Sequence, residues 1–188
     1  MRKTLTAALV AASLLTLAAC GNDDGSGSAA GHNDADVAFA QQMIPHHQQA
    51  VEMAQLAETR AESAEVKNVA AEIKAAQDPE IETMTGWLES WGEDVPDEDM
   101  SGMDHGDMSS DGMAGMMTEE EMGDLEGSSG SEFDQMFLTM MIAHHEGAIE
   151  MAQTEQAEGE FPDALALAEE IEATQTEEIQ TMQELLKP

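Results

Sequence analysis

The sequence predicts an all-α fold, a four-helix bundle made of two repeated helical hairpins joined by a long Met-rich crossover loop. Three observations carry that prediction. The chain repeats itself at one fixed offset of 98 residues. Ala, Met, Glu and Gln are abundant, while Tyr is absent and only two Trp and four Phe occur, a composition that suits helices and not sheets. Apolar residues recur at helical spacing in four long stretches.

The N-terminus is read as a targeting segment rather than part of the fold. Arg2 and Lys3 precede an apolar run from Leu5 to Leu17, which meets Leu17-Ala-Ala-Cys20. This pattern is expected to be a secretory signal peptide over residues 1–19, too short and wrongly flanked for a stable membrane span. Leu-Ala-Ala-Cys-Gly resembles a bacterial lipobox, so Cys20 is the expected lipidated residue of a protein anchored to the outer face of the cell membrane. Cys20 is the sole cysteine, which excludes an intramolecular disulfide. Residues 20–33 are rich in Gly, Ser, Asp and Asn and read as a flexible tether.

The domain then spans residues 34–188. Helices are expected at about 34–58, with Asp34 or Asp36 as N-cap, and at 62–91, with Gly92 as the C-terminal stop. Two more are expected at 131–158, capped by Ser131, and at 162–186, with Pro162 near the helix start. The intervening 93–130 is dominated by Gly, Ser, Asp and Met and reads as a linker. Pro45 and Pro79 fall inside helical patterns and are expected to kink the first hairpin.

The repeat is the most informative feature. Phe39-Ala-Gln-Gln-Met-Ile-Pro-His-His-Gln-Gln-Ala-Val-Glu-Met-Ala-Gln55 aligns with Phe137-Leu-Thr-Met-Met-Ile-Ala-His-His-Glu-Gly-Ala-Ile-Glu-Met-Ala-Gln153. The same offset, without a gap, maps Gln77 onto Gln175, Glu80 onto Glu178 and Met84 onto Met182. The unit is therefore a helix pair. Each pair alone leaves an apolar stripe exposed, and packing the two together buries both.

Charge narrows the partners. The full chain carries a formal net charge of −34. Beyond the signal peptide only Arg60, Lys67, Lys74 and Lys187 oppose 40 acidic residues. That argues against nucleic acid and against an anionic bilayer surface, leaving the lipid as the only membrane contact. It favours an elevated local concentration of cations. No phosphate-binding Gly loop, nucleophilic cysteine or Ser-His-Asp arrangement is present.

At about 100° per residue, Phe39, Met43, His46, Ala50 and Met53 share one helix face, with His47 at its edge. Phe137, Met141, His144, Ala148 and Met151 repeat the layout, with His145 at the edge. Such Met stripes often serve as core packing alone. Four buried imidazoles each need a partner, which a metal or the Glu-rich surroundings can supply. Thioether with imidazole favours copper, Cu(I) over Cu(II). A di-iron site is disfavoured, because no Glu-x-x-His occurs and Glu52 and Glu150 fall on the outward face. Zinc gains nothing from Met. In the linker, Met103, His105 and Met108 resemble the Met motifs of copper-handling proteins, or form an adaptable hydrophobic cover.

The doubled segments Met43-Ile-Pro-His-His-Gln-Gln-Ala-Val-Glu-Met-Ala54 and Met141-Ile-Ala-His-His-Glu-Gly-Ala-Ile-Glu-Met-Ala152 resemble the paired signatures of the domain-of-unknown-function family numbered 305. The likeness spans roughly Asp34 to Leu186. It implies a ferritin-like fold and, since some periplasmic members of the family bind copper, a role in copper tolerance. It also implies Met43, His46, His47, Met53, Met141, His144, His145 and Met151 as ligands. The expected function is extracytoplasmic sequestration of copper or its transfer, for instance to another copper-handling protein. A metal oxidase and a pH-sensitive, metal-free scaffold are the alternatives.

Overall fold

The computed structural model describes residues 31–96 and 113–187. The signal-peptide segment, Cys20, the tether up to residue 30, and Met103, His105 and Met108 lie outside the described residues.

Five helices form, and no strand occurs among the described residues. Helix α1 (Asp34–Arg60) is capped by Asn33, whose side chain accepts from the Ala35 and Asp36 amides while Asp36 answers in a capping box. Asp36 thus sits three residues into the helix rather than at its cap, and Asp34 is the first helical residue. Helix α2 (Ala64–Trp91) starts at a Ser63 cap and stops at Gly92, where φ of 78° needs no Cβ. Pro45 and Pro79 both lie inside unbroken helices. Each removes one backbone donor from the helical ladder, and packing on the neighbouring helices holds the helix through it.

The expected linker 93–130 contains a further helix, α3 (Glu119–Gly127). Thr118-Glu-Glu-Glu121 forms a reciprocal capping box, and fully buried Leu125 ties the helix down. Helix α4 (Ser131–Glu158) begins on Gly130, at φ 68° and with no side-chain cap, so Ser131 is the first helical residue and not its cap. Gly130 donates to the Arg60 carbonyl at 2.8 Å, and the short parallel bridge between Ala61 and Gly130 joins the end of the first hairpin's α1 to the start of α4. Helix α5 (Pro162–Leu185) opens on Pro162, whose missing N–H costs nothing there.

The long helices pack as two hairpins, α1 on α2 and α4 on α5, joined chiefly through α1 against α4, with a lighter α2–α5 contact. Two apolar cores result. One gathers Ala50, Met53 and Ala57 of α1, Val66 and Ile73 of α2, Phe133, Phe137 and Met141 of α4, and Met182 of α5. The other gathers Phe39, Met43 and Ile44 of α1, Met84 and Leu88 of α2, Ala148 and Ala152 of α4, and Ala168 and Ile171 of α5. Chain order within the cores shows that α1 and α4 run antiparallel. Each fully buried Phe or Leu there stabilises the fold by about 1.5–3 kcal/mol.

The two hairpins also interlock through carboxylates. Asp134 of α4 accepts from the Glu62 and Ser63 amides, at 3.0 and 2.9 Å, in the turn of the first hairpin. Asp36 of α1 accepts from the Glu160 and Phe161 amides, at 3.1 and 2.9 Å, in the turn of the second. Asp36 and Asp134 are 98 residues apart, as are Glu62 and Glu160, and Ser63 and Phe161. The sequence repeat is therefore an approximate two-fold in space.

Candidate metal centre

On every long helix the polar residues at mid-length separate the two apolar cores. His46 and His47 lie between Ile44 and Ala50, Gln77 between Ile73 and Met84, His144 and His145 between Met141 and Ala148, and Gln175 between Ile171 and Met182. All four histidines are fully buried, and Gln77 and Gln175 nearly so. The antiparallel crossing of α1 and α4 brings the repeat-related His46 and His144 face to face, with ring centroids 3.7 Å apart.

Helical periodicity puts His47 and His145 at the edge of the apolar stripe. Both are wholly buried because the partner helix of the same hairpin supplies a carboxylate. His47 Nε2 stands 2.6 Å from Glu80 Oε2, and His145 Nε2 stands 2.7 Å from Glu178 Oε2. The pairs are equivalent under the repeat. A carboxylate on one ring nitrogen fixes the tautomer with Nε2 protonated and leaves Nδ1 with a lone pair. His46 Nε2 donates instead to the Ala114 carbonyl at 3.2 Å, in the last stretch of the linker. His144 has no partner on either nitrogen, and Nδ1 of His46, His47 and His145 has none either. Five ring nitrogens are thus buried without a hydrogen bond.

Electrostatics keep the central pair neutral. Burial, then the neighbouring His47, push His46 down to about 3, against the Ala114 hydrogen bond. His144 is held well below the usual histidine range by burial and then by His46. Neutral imidazole is the form that binds metal.

The thioethers divide with the same symmetry. Met53, Met141 and Met182 belong to one core, while Met43 and Met84 belong to the other, with half-buried Met151 packed against it. Each set is the repeat image of the other. Among the described residues no three His, Cys, Asp or Glu side chains form a ready metal cage. Glu80 and Glu178 were not singled out as site residues from the sequence. The gapless offset that paired them was the available signal, since it placed each at the same distance along the chain, 33 residues, from the second histidine of its own hairpin. Glu52 and Glu150 are exposed, as expected.

Residues 36–186 match the family model described as Domain of unknown function (DUF305). No curated protein matches the chain. Among solved structures, the chain is similar to a DUF305 protein of Streptomyces coelicolor assigned as secreted, at 33% identity over 81% of this chain and 91% of that one, with a TM-score of 0.71. It is similar to a DUF305 fragment from Deinococcus radiodurans, at 29% identity over 82% and 96%, with a TM-score of 0.72. It is also similar to CopM in the Cu(II)-bound form, at 34% identity over 80% and 94%, with a TM-score of 0.67. CopM has been solved in Cu(I)-bound, Ag-bound and apo forms as well.

Proposed function

The chain belongs to the DUF305 family, and from that premise we propose that it is an exported, lipid-anchored copper-binding protein whose ferritin-like four-helix bundle sequesters copper or passes it on. The observation that carries this reading is the row of five buried, unpartnered ring nitrogens on His46, His47, His144 and His145. An unsatisfied buried polar atom costs about 1–3 kcal/mol. Five nitrogens on four neighbouring rings, in a layer where the Gln77 amide and the Gln175 carbonyl oxygen are unpartnered too, are the signature of donors kept for a ligand. Glu80 and Glu178 orient two of the rings in the manner of the carboxylates behind metal-bound histidines.

The ligands would be Nδ1 of His46, His47 and His145, and either nitrogen of His144. Met43, Met53, Met141 and Met151 would contribute thioether sulfur. That donor set is soft and neutral, which favours Cu(I) over Cu(II), zinc and iron. Likeness to CopM, solved with both copper oxidation states and with silver, supports copper as the metal. Met103, His105 and Met108 would capture the ion first, within a surface whose acidity draws cations in. The secreted assignment of the Streptomyces coelicolor relative supports export, with Cys20 as the lipid attachment point. No helix among the described residues is long and apolar enough to cross a membrane. Binding is favoured over catalysis because all four rings are sealed from solvent, whereas an oxidase needs an accessible, open coordination position.

Anaerobic Cu(I) titration of the mature protein tests the reading. Tight binding is expected in the parent and its loss on changing His46, His47, His144 and His145 to Ala. Absent binding, or binding indifferent to the four substitutions, refutes it.

A further inference from the structure

One stretch of the linker does not follow the two-fold. Residues 113–118 lie across α1 and α4 at the level of the histidines. Gln49 of α1 holds the backbone of Met117 from both sides, donating to its carbonyl and accepting from its amide, each at 2.8 Å. On α4 the surface is cut away at buried Gly147, where a Cβ would overlap the Ala114 carbonyl. A Cβ on Gly115, at φ +80°, would stand 2.6 Å from the Ala143 carbonyl. Met117 is buried and joins the Met53–Met141–Met182 core. Gln49 and Gly147 are repeat mates, yet one is a two-armed clamp and the other is a gap. The two copies have diverged so as to seat a single strap.

The seated strap delivers the Ala114 carbonyl to His46 Nε2 at 3.2 Å. Glu80 and Glu178 do the same for His47 and His145. Only His144 lacks such a partner. We propose that the strap of residues 113–118, docked by Gln49 and by the gap at Gly147, is a positioning element that fixes His46 with Nε2 protonated and leaves Nδ1 free as a ligand, and so slows copper release. The inference rests on the copper reading above. It ties the Met-bearing linker to the buried centre: seating the strap completes the outer partners of three rings, and lifting it frees one.

The substitutions Gly147→Ala and Gln49→Ala test this in the full mature chain. Alanine suits a helix, and circular dichroism checks that both variants fold. Amide exchange at residues 114–117 reads strap docking, and nitrogen-15 spectra of the His46 ring read its tautomer, both without metal. Transfer of Cu(I) to a chelator reads retention. Faster exchange, a mixed His46 tautomer and Cu(I) affinity lowered by about tenfold or more are expected in both variants, the range found when outer partners of metal-bound histidines are removed. Unchanged exchange or an unchanged tautomer shows that these residues do not position His46 and overturns the inference. A freed strap with unaltered Cu(I) release overturns it while leaving the copper reading standing. A parent protein that binds no Cu(I) overturns the copper reading and this inference together.

Discussion

Glu155 is almost completely buried on α4, and neither of its carboxyl oxygens meets a protein donor. Burial, the hydrogen bond to Asp36 and the charge of Asp36 push it up to about 8. Asp36 moves the other way. Burial raises it, but the hydrogen bond from Glu155 and the amides of Asn33, Phe161 and Glu160 outweigh burial and hold it below the ordinary carboxylate range. At neutral pH the pair therefore shares one proton, carried by Glu155 and donated to Asp36. Because the folded value of Glu155 is raised, the native state keeps a proton that the unfolded chain releases above about 4.5. Stability from this group is complete in acid and falls as pH rises toward 8, by at most about 1.4 kcal/mol per unit. Between pH 5 and 8 the ceiling is about 4 kcal/mol, and local relaxation around the ionised pair reduces it to about 2–3 kcal/mol. In a domain of roughly 150 residues that is about 5–10 °C in Tm. Asp36 contributes nothing to this slope, since its stabilisation is lost only as pH falls through its lowered value. The Glu155→Gln variant keeps a donor toward Asp36 and removes the titration. Thermal melts of parent and variant across pH 5–8 isolate the effect from the other acidic groups. The Tm difference is expected to grow in favour of Gln as pH rises. Parallel curves, or a variant less stable than the parent at pH 8, refute the shared proton.

Glu80→Gln and Glu178→Gln are each expected to weaken Cu(I) binding by about 10–100-fold, with similar losses because the two are repeat-related; competition titration measures both. Gly130→Ala places a Cβ at φ 68° and is expected to cost about 1–3 kcal/mol by strain alone, read from chemical denaturation, because the added methyl meets nothing closer than Glu62 Oε2 at 3.7 Å.

The parts of this fold legible in the sequence are those written locally or repeated. Helical periodicity and the Gly92 stop located α1 and α2 to within a few residues, and the offset of 98 identified the hairpin as the unit. The paired histidines stood out because two copies of an uncommon doublet are hard to explain as packing. What escaped is set by contacts between distant residues. Ser131 has a good capping side chain, but the Gly130–Arg60 hydrogen bond fixes where α4 begins. Helix α3 had a local signal, the Thr118–Glu121 capping box, hidden by the surrounding Gly and Ser. Glu80 reaches His47 across 33 residues, and on α2 alone it looks like one more solvated acid. Asp36 reads as a candidate N-cap, whereas it and its repeat mate Asp134 each bind the turn of the opposite hairpin.

That crossed arrangement makes the two halves interdependent. The turn of the first hairpin has two amides, on Glu62 and Ser63, whose acceptor is Asp134 of the second hairpin. The turn of the second has Glu160 and Phe161, whose acceptor is Asp36 of the first. Hydrogen bonds to a charged group contribute about 1.5–3 kcal/mol each, and the freed amides of a partly buried turn recover some of that from water. Asp134→Ala is therefore expected to cost about 2–4 kcal/mol, measured by denaturant melts, with unchanged helix content under native conditions. A separated hairpin loses more than this. A segment of residues 34–96 lacks Asp134, lacks the α4 face that covers Phe39, Met43 and Met53, and exposes His46 where His144 should be. It is expected to show little cooperative structure alone and to gain helicity when mixed with the segment 131–187. A sharp, independent thermal transition in the isolated 34–96 segment would mean that each hairpin carries its own core, and the reciprocal carboxylates would then be ornaments on two self-sufficient units rather than what joins them.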